Sequence, residues 1–189
     1  VRALAPLHAA GLAHGSVASC QKSIAKETQK FLALKSKALQ KCEDKRTSGS
    51  VPPSTTCRTD SGTAIGIAKA SAKARNGIAK SCCGPDRACG NADDESLASL
   101  GWGSTPQCPN FENGQTGSCT NAIDDPGDVA DCVLCVASGA TDQLIELLYR
   151  SLASTEDSGV KKCQRTVGKA TARFYQAKSR ALEKCWEKR

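Results

Sequence analysis

The chain has 189 residues and a formal net charge of +7, and only 4% of its residues are aromatic. So small an aromatic content leaves little apolar area to bury, and burial contributes only about 25 cal/mol per Å². The composition therefore argues against a fold that an apolar core holds together by itself.

Twelve cysteines offer additional stabilisation. An even number of cysteines, spread from Cys20 to Cys185, indicates a disulfide framework made in an oxidising compartment. Zinc is the alternative, but no pair of CxxC motifs occurs and the two histidines lie near the N-terminus. We predict disulfide bonds at Cys20, Cys42, Cys57, Cys82, Cys83, Cys89, Cys108, Cys119, Cys132, Cys135, Cys163 and Cys185.

Residues 1–19 are predicted to form an N-terminal arm. They are rather apolar, but Pro6, Gly11 and Gly15 interrupt them, so the arm is either flexible or docks on a neighbour, with a disordered terminus as the alternative. No stretch of about 18 apolar residues occurs, which predicts no membrane span. The chain does not begin with methionine, which is expected of a mature protein whose leader has been removed. We therefore expect a secreted, extracellular protein, with the periplasm or the cell surface as the other locations.

Two segments are copies of one lysine-rich helix. Residues 20–42 and 163–185 align without a gap, and 11 of the 23 positions are identical, including both cysteines. Ile24, Phe31 and Ala38 recur every seven residues in the first copy, a pattern typical of a helix with a narrow apolar stripe. We predict helices over residues 20–46 and 160–188.

The cysteines at the ends of each copy limit how the helices pack. The 22 steps from one cysteine to the other span about 33 Å of helix, whereas a disulfide needs Cα atoms within about 7 Å. Each copy must therefore bond to another element. A third helix, predicted over residues 63–82, follows Cys57 and ends in a Cys-Cys-Gly-Pro stop. An antiparallel hairpin with the first copy would pair Cys42 with Cys57, and Cys20 with Cys82 or Cys83. The competing connectivity joins the two copies, Cys20 to Cys185 and Cys42 to Cys163.

The middle of the chain changes character. Residues 84–127 are rich in Gly, Pro, Asn, Ser and Thr, which predicts a long loop excursion held by cross-links. Two apolar helices are predicted after it, over residues 128–138 and 141–153, with a break at Gly139. The predicted fold is all-α, a disulfide-stapled antiparallel helical bundle, with residues 20–189 as a single domain.

Four carboxylates cluster where the loop excursion meets the first apolar helix. Asp124, Asp125, Asp128 and Asp131 lie in a Gly-containing segment, and closely spaced oxygen ligands suit calcium. The segment does not match the EF-hand pattern, and the alternative is a helix N-terminus that Asp128 caps. Calcium at these four residues is the one metal or cofactor that the sequence suggests, and otherwise none is expected.

Charge is divided sharply along the chain. Residues 161–189 carry ten Lys and Arg against two acids, whereas residues 91–160 carry only Arg150 against twelve acids. Such segments neutralise each other within one molecule or between molecules, and the second case gives head-to-tail association. The basic helices also suit a polyanion, but aromatic side chains are sparse among them and a solvated lysine face is the ordinary state of such a helix. Nucleic acid is therefore not the expected partner.

Catalytic signatures are missing from the sequence. It contains no GxSxG, no HExxH and no Gly-rich phosphate loop, and the CxxC that ends at Cys135 is not followed by the histidine of a haem-attachment motif. We therefore expect a protein without enzymatic activity.

Residues 20–42 and 163–185 share one pattern: Cys-Gln-Lys/Arg, then Lys, Phe and Lys, then Ala-Leu-x-Lys-Cys. This pattern resembles a repeat in uncharacterised secreted cysteine-rich proteins of Gram-negative, myxobacteria-like bacteria. The likeness extends more loosely to residues 132–148. It implies bacterial export and helical repeats, and it supplies no site residues.

Two functional hypotheses follow. The first is a non-enzymatic structural or assembly protein of the cell exterior, a self-associating subunit of a surface fibre or layer whose partners are copies of itself. The second is a secreted or periplasmic binding module for calcium or a small ligand at the acidic loop. A polyanion-binding protein that uses the lysine-rich helices is a further alternative.

Overall fold

Helices dominate the structure, a computed structural model that describes residues 16–109, 119–150 and 157–186. These ranges contain no β-strand and only two isolated bridges between extended residues. The predicted class, an all-α bundle stapled by disulfides, is confirmed. The helices are α1 (Val17–Thr47), α2 (Ser61–Cys82), α3 (Leu97–Leu100), α4 (Pro126–Tyr149) and α5 (Ser158–Trp186).

All four long helices begin after a side chain that caps them. Each capping oxygen accepts a hydrogen bond from the N–H group of the third residue that follows, and so satisfies one of the donors that a helix start leaves without a partner. Local sequence therefore sets where these helices begin. The capping residues and the N–H groups that donate to them are Ser16 with Ser19 at 3.2 Å, Asp60 with Thr63 at 3.0 Å, Asp125 with Asp128 at 3.0 Å, and Asp157 with Val160 at 2.9 Å.

Helix α1 is the central helix, since α2, α4 and α5 all pack on it. Helix α2 runs antiparallel to α1, and the Ser23 hydroxyl donates to the Gly77 carbonyl at 2.9 Å. Helix α4 runs parallel to α1, and the Lys35 ammonium donates to the Ser138 carbonyl at 3.0 Å. Because α2 also packs against α4, these three helices enclose the core and α5 lies on the outside of α1.

The core consists of three clusters arranged along the bundle. The first joins the loop excursion to the helices, the second fills the middle of the bundle, and the third lies near the end of α1. Central members of the clusters are Ile78 and Val129 in the first, Phe31 and Leu134 in the second, and Leu39 and Ile145 in the third.

Disulfides close the α1–α2 hairpin at both ends. Cys20 bonds to Cys82 with a Cα–Cα distance of 4.9 Å, and Cys42 bonds to Cys57 with a Cα–Cα distance of 5.6 Å. This is the predicted hairpin connectivity, and the competing bonds between the two repeat copies do not form. Three further disulfides hold the loop excursion: Cys83–Cys89, Cys108–Cys132 and Cys119–Cys135. The five bonds indicate an oxidising, extracellular-type environment.

The prediction that all twelve cysteines are bonded is wrong, within one chain, for Cys163 and Cys185. Both are free and exposed on α5. The other ten cysteines already have partners. Cys163 and Cys185 cannot reach each other, because about 33 Å of helix separates them.

The predicted break at Gly139 is also wrong. The sequence predicts separate helices over residues 128–138 and 141–153, but α4 continues without interruption from Pro126 to Tyr149. The hydroxyl of Thr141 donates to the Ala137 carbonyl at 2.8 Å, so this cap-type side chain is satisfied inside the helix. Tertiary packing carries the helix through the glycine, whose propensity cost is only about 1 kcal/mol.

Four predicted segments fall partly outside the described residues, among them the loop excursion at residues 110–118 and the helix over 160–188 at residues 187–188. Residues 1–15 of the predicted arm also lie outside the described residues. The described part of the arm contains the start of α1, which begins at Val17 rather than at Cys20. The last residues of the second apolar helix, 151–153, are also outside. Within the loop excursion the described part contains the single turn of α3.

Helix α4 is long and apolar enough to cross a membrane, by length and composition alone. The mean hydropathy of its most apolar 18-residue window is 1.3, and 44% of that window is buried inside the protein. Its packing against α1 and α2, with two disulfides to the loop excursion, gives a separate reason for its apolar composition. The absence of a membrane span stays a prediction.

Candidate functional site

Helix α5 docks on α1 through a face of small and polar residues. The side-chain amide of Gln40 donates to the Gly168 carbonyl at 2.8 Å, and that of Gln29 donates to the Glu183 carboxylate at 2.6 Å. A Cβ atom at Gly168 would lie 2.7 Å from the hydroxyl oxygen of Tyr149, so only glycine allows this close approach. The inner face of α5 is therefore held by hydrogen bonds and tight packing rather than by large apolar side chains.

The apolar residues of α5 face outward instead. The side chains of Val160, Val167, Phe174 and Leu182 are 45%, 51%, 68% and 53% exposed. At about 100° per residue, these residues share one side of the helix with both free cysteines. We call this surface the α5 outer stripe, and it consists of Val160, Cys163, Val167, Phe174, Ala181, Leu182 and Cys185.

The first repeat copy buries the face that the second copy exposes. Phe31 of α1, which aligns with Phe174, is 3% exposed, and Leu39, which aligns with Leu182, is fully buried. Both cysteines of the first copy are bonded within the bundle. In α1 this face packs against α2 and α4, whereas in α5 it has no comparable cover from the described residues.

The basic residues of α5 leave the outer stripe largely uncharged. The helix contains eight Lys and Arg and one Glu. At about 100° per residue, seven of the eight project from the other side of the helix, and Lys178 alone lies within the stripe. Its long methylene chain allows the ammonium to reach solvent from an apolar surface. The stripe is thus an apolar surface on an otherwise strongly basic helix.

A groove of about 280 Å³ lies between α1 and α5. Lys26 of α1 and Arg180 of α5 line it from the two sides, together with Tyr175. Burial raises the pKa of the Tyr175 hydroxyl above its ordinary value. The groove offers positive charge beside an aromatic ring, which suits an anionic ligand.

Three of the four aspartates of the predicted calcium site, Asp125, Asp128 and Asp131, have carboxylates with different partners. Asp125 accepts hydrogen bonds from the first turn of α4, and the Asp128 carboxylate accepts one from the N–H group of Asp124 at 3.0 Å. Asp131 forms a half-exposed ion pair with Arg75. The described residues do not bring three or more such ligands together, and a calcium site at these residues stays a prediction.

A buried ion pair between α1 and α4 is a feature that the sequence interpretation missed. The Lys35 ammonium lies 2.8 Å from one carboxylate oxygen of Asp142, and Arg58 approaches the other at 3.6 Å. Apart from these cations neither oxygen has a hydrogen-bond partner among the described residues. Burial lowers the pKa of Lys35, and the contact with Asp142 opposes that shift. Sequence offers no signal of this pair, since the lysine at the same repeat position of the second copy, Lys178, is exposed.

Comparison with known proteins yields no relative. No protein-family model matches the chain, and no curated protein and no solved structure matches it significantly.

Proposed function

We propose that the protein is a non-enzymatic structural protein, secreted to the cell exterior, that associates with copies of itself through the α5 outer stripe. One observation carries the proposal. In a chain whose ten other cysteines are paired, the outer stripe presents four exposed large apolar side chains, three of which lie between two free thiols.

Physical principles support this function for such a surface. Contiguous apolar patches on a protein surface mark interaction sites, because their burial against a partner removes them from water. Free exposed thiols in an oxidising compartment also tend to become bonded. The acidic segment 91–160 and the basic α5 add opposed charges that favour association between molecules.

Sedimentation equilibrium over rising protein and salt concentration tests the proposal. The reference protein carries Cys163→Ser and Cys185→Ser, so that only non-covalent association is measured. Adding Phe174→Gln is expected to weaken association by about tenfold or more, because burial of a Phe side chain contributes about 1.5–3 kcal/mol. Leu147→Gln is the matched control, since Leu147 is an exposed apolar residue of α4, 80% exposed, and it should leave association unchanged.

Salt separates the two physical sources of association. Contact between apolar stripes persists as salt rises. Head-to-tail pairing of exposed opposite charges weakens instead, because salt screens charges that lie farther apart than the Debye length, which is about 8 Å at physiological ionic strength and shorter at higher salt. A reference protein that stays monomeric at every concentration and salt would contradict the proposed function. Equal weakening by Phe174→Gln and Leu147→Gln would contradict the assignment of the surface.

Binding of a polyanion is a second candidate function, and the groove with Lys26 and Arg180 favours it. A sulfated polysaccharide should then bind with an affinity that falls steeply as salt rises. The variant Arg180→Ser should weaken binding more than Lys73→Ser, a change at an exposed residue of α2. Equal affinities of the two variants would contradict this candidate.

A further inference from the structure

We propose that two copies of the chain pair through antiparallel α5 helices and that Cys163 of each copy forms a disulfide with Cys185 of the other. The inference rests on the proposed function, because it specifies the partner and the geometry of the same surface. It assigns to two free thiols a bond that neither can make within its own chain.

Five of the seven residues of the outer stripe are placed symmetrically about Phe174. Cys163 and Cys185 lie eleven residues before and after Phe174, and Val167 and Ala181 lie seven residues before and after it. A two-fold axis through Phe174 therefore places Cys163 opposite Cys185 of the partner copy and Val167 opposite Ala181 of the partner copy. The two Phe174 rings meet at the axis. This self-complementarity is what a two-fold dimer interface requires.

The directions in which these side chains project from the helix agree with their symmetric spacing along the sequence. The 22 steps between the cysteines return to within about 40° of the same direction, at about 100° per residue, and Phe174 lies midway between them. Both thiols and the central ring therefore project from one face. A parallel arrangement would instead bring Cys163 to Cys163 and would forgo the two-fold axis perpendicular to the helices.

The α1–α2 hairpin shows that this repeat can pair in such a way. There the first copy lies antiparallel to a second Lys-rich helix, with a disulfide at each end and Cα–Cα distances of 4.9 and 5.6 Å. Small residues, Ala70 and Ala74, face the Phe31 cluster. On α5 the residues beside the outer stripe are likewise small, Ala170 and Ala177, so two α5 helices can approach as closely.

The number of free thiols in each chain favours a second copy as the partner. All ten other cysteines are bonded within the chain, so another copy presents the same two thiols at the required spacing. Charge does not oppose the pairing strongly, because Lys178 is the one basic residue of α5 within the stripe. At about 100° per residue, the other basic residues of α5 project from other sides of the helix than the stripe.

Each bond forms by exchange with a disulfide oxidant such as oxidised glutathione. The Cys163 thiolate attacks one oxidant sulfur, which forms a mixed disulfide and releases one glutathione thiol. The Cys185 thiolate of the partner copy then attacks the Cys163 sulfur and releases the second glutathione. Two protein thiols lose two electrons and two protons, and one oxidant disulfide becomes two thiols.

A two-fold interface closes when two copies have joined. The covalent dimer is then the unit from which a larger assembly is built, and growth into a fibre or layer needs a different surface. The acidic loop excursion and its charge of opposite sign lie outside the stripe and stay accessible for that contact.

Complementary single-cysteine variants of the full chain test the pairing. Cys163→Ser and Cys185→Ser proteins are prepared separately, incubated with oxidised glutathione alone and as an equimolar mixture, and analysed by intact mass under non-reducing conditions. Neither variant alone should form a covalent dimer above a few per cent. The mixture should form a dimer of one copy of each, joined by one bond. In the unmodified protein, trypsin should release Cys163-Gln-Arg bonded to Cys185-Trp-Glu-Lys.

The outcomes distinguish the geometry from the proposed function. Self-linked dimers of either variant alone, or tryptic pairs of like peptides, would overturn the antiparallel pairing while self-association stands. The double variant Cys163→Ser/Cys185→Ser measures association without any bond. If it dimerises but the mixture of single variants does not cross-link, the pairing is overturned alone. If it stays monomeric and no variant cross-links, both proposals are overturned.

Discussion

Lys35 and Asp142 place opposite charges inside the bundle, where their side chains are 5% and 1% exposed. Removing one partner of such a pair leaves a buried charge without compensation, which typically costs about 3–5 kcal/mol. Asp142→Asn is therefore expected to lower the free energy of unfolding by about that amount, as measured by urea unfolding. The control Asp131→Asn breaks a half-exposed ion pair and should cost less than about 1 kcal/mol.

The apolar double variant Lys35→Met/Asp142→Leu separates the charge effect from packing. It should recover most of the stability that Asp142→Asn loses, because replacing both buried charges removes the desolvation cost. A loss in the double variant as large as in the single one would contradict this explanation.

Tyr149 gives stability a dependence on alkaline pH. Burial, and then the carboxylate of Asp44, raise the pKa of the Tyr149 hydroxyl above its ordinary value of 10.0. The folded protein thus keeps a proton that an unfolded tyrosine loses, so this stabilisation is complete below pH 10.0 and decreases as the pH rises further.

Comparison with Tyr149→Phe isolates this contribution. The difference in unfolding free energy between the two proteins should shrink from about pH 8 to about pH 11, in a Cys163→Ser/Cys185→Ser background that limits thiol exchange. The lowered pKa of Lys35 acts in the opposite direction, and it cancels in the difference. A difference that grows with pH would contradict the assignment.

Residue chemistry sets part of the structure locally, and sequence reasoning finds some of it. The sequence indicates an acidic cap at the start of the apolar helix, but the assignment of that cap to Asp128 is wrong, because Asp125 caps α4 immediately before Pro126. The pair of Lys35 and Asp142 depends instead on which faces of α1 and α4 meet, and neither residue's neighbours in sequence specify that contact. Tertiary packing decides such pairs.

At the scale of elements, helix α5 depends on Gly168 for its position. Gly168→Ala is expected to weaken the docking of α5 on α1, because the added Cβ would meet the Tyr149 hydroxyl, which bonds to Asp44 at 3.1 Å. Hydrogen exchange should increase in α5 and not in α2. Gly66→Ala is the control, since nothing lies within 4 Å of its Cβ position; it should raise stability by about 0.4–1 kcal/mol. Unchanged exchange in α5 of Gly168→Ala would contradict the proposed contact.

The disulfides should differ in their contribution according to loop length. Replacing Cys20 and Cys82 by Ala opens a sequence separation of 62, whereas replacing Cys83 and Cys89 opens a separation of 6. Loop-closure entropy assigns about 4 kcal/mol to the first bond and about 2 kcal/mol to the second. Thermal unfolding followed by helical circular dichroism should rank the variants in that order, and the reverse order would contradict the entropic account.

The hairpin and the outer stripe show how far sequence determines these elements. Helix length and cysteine spacing limit the partners of Cys20 and Cys42 to the hairpin or the second repeat copy, and the hairpin bonds are the ones that form. The orientation of α5 is not predictable, because its sequence repeats that of α1 and indicates the same buried face. Only the folded chain shows that α2 and α4 already cover the apolar face of α1, and that α5 packs on α1 with the side that carries Gly168.

The described part of the molecule is a disulfide-bonded bundle with one helix, α5, on its outside. Helices α1, α2 and α4 enclose the core and are joined by disulfides to each other or to the loop excursion, whereas α5 has no disulfide to the rest of the chain. Such a helix contributes little to the core and leaves its apolar side exposed, which is the surface of the proposed self-association. This arrangement fits the proposed subunit, in which the α1, α2 and α4 bundle provides stability and α5 provides the surface for association.

Counting thiols in the native protein by alkylation and intact mass tests this account most directly. Oxidised material should have twice the chain mass of 19.7 kDa with no alkylated cysteine, and mild reduction should give single chains with two alkylated residues, Cys163 and Cys185. Single chains without any reactive thiol before reduction, or alkylation of the ten other cysteines at the same rate, would contradict it.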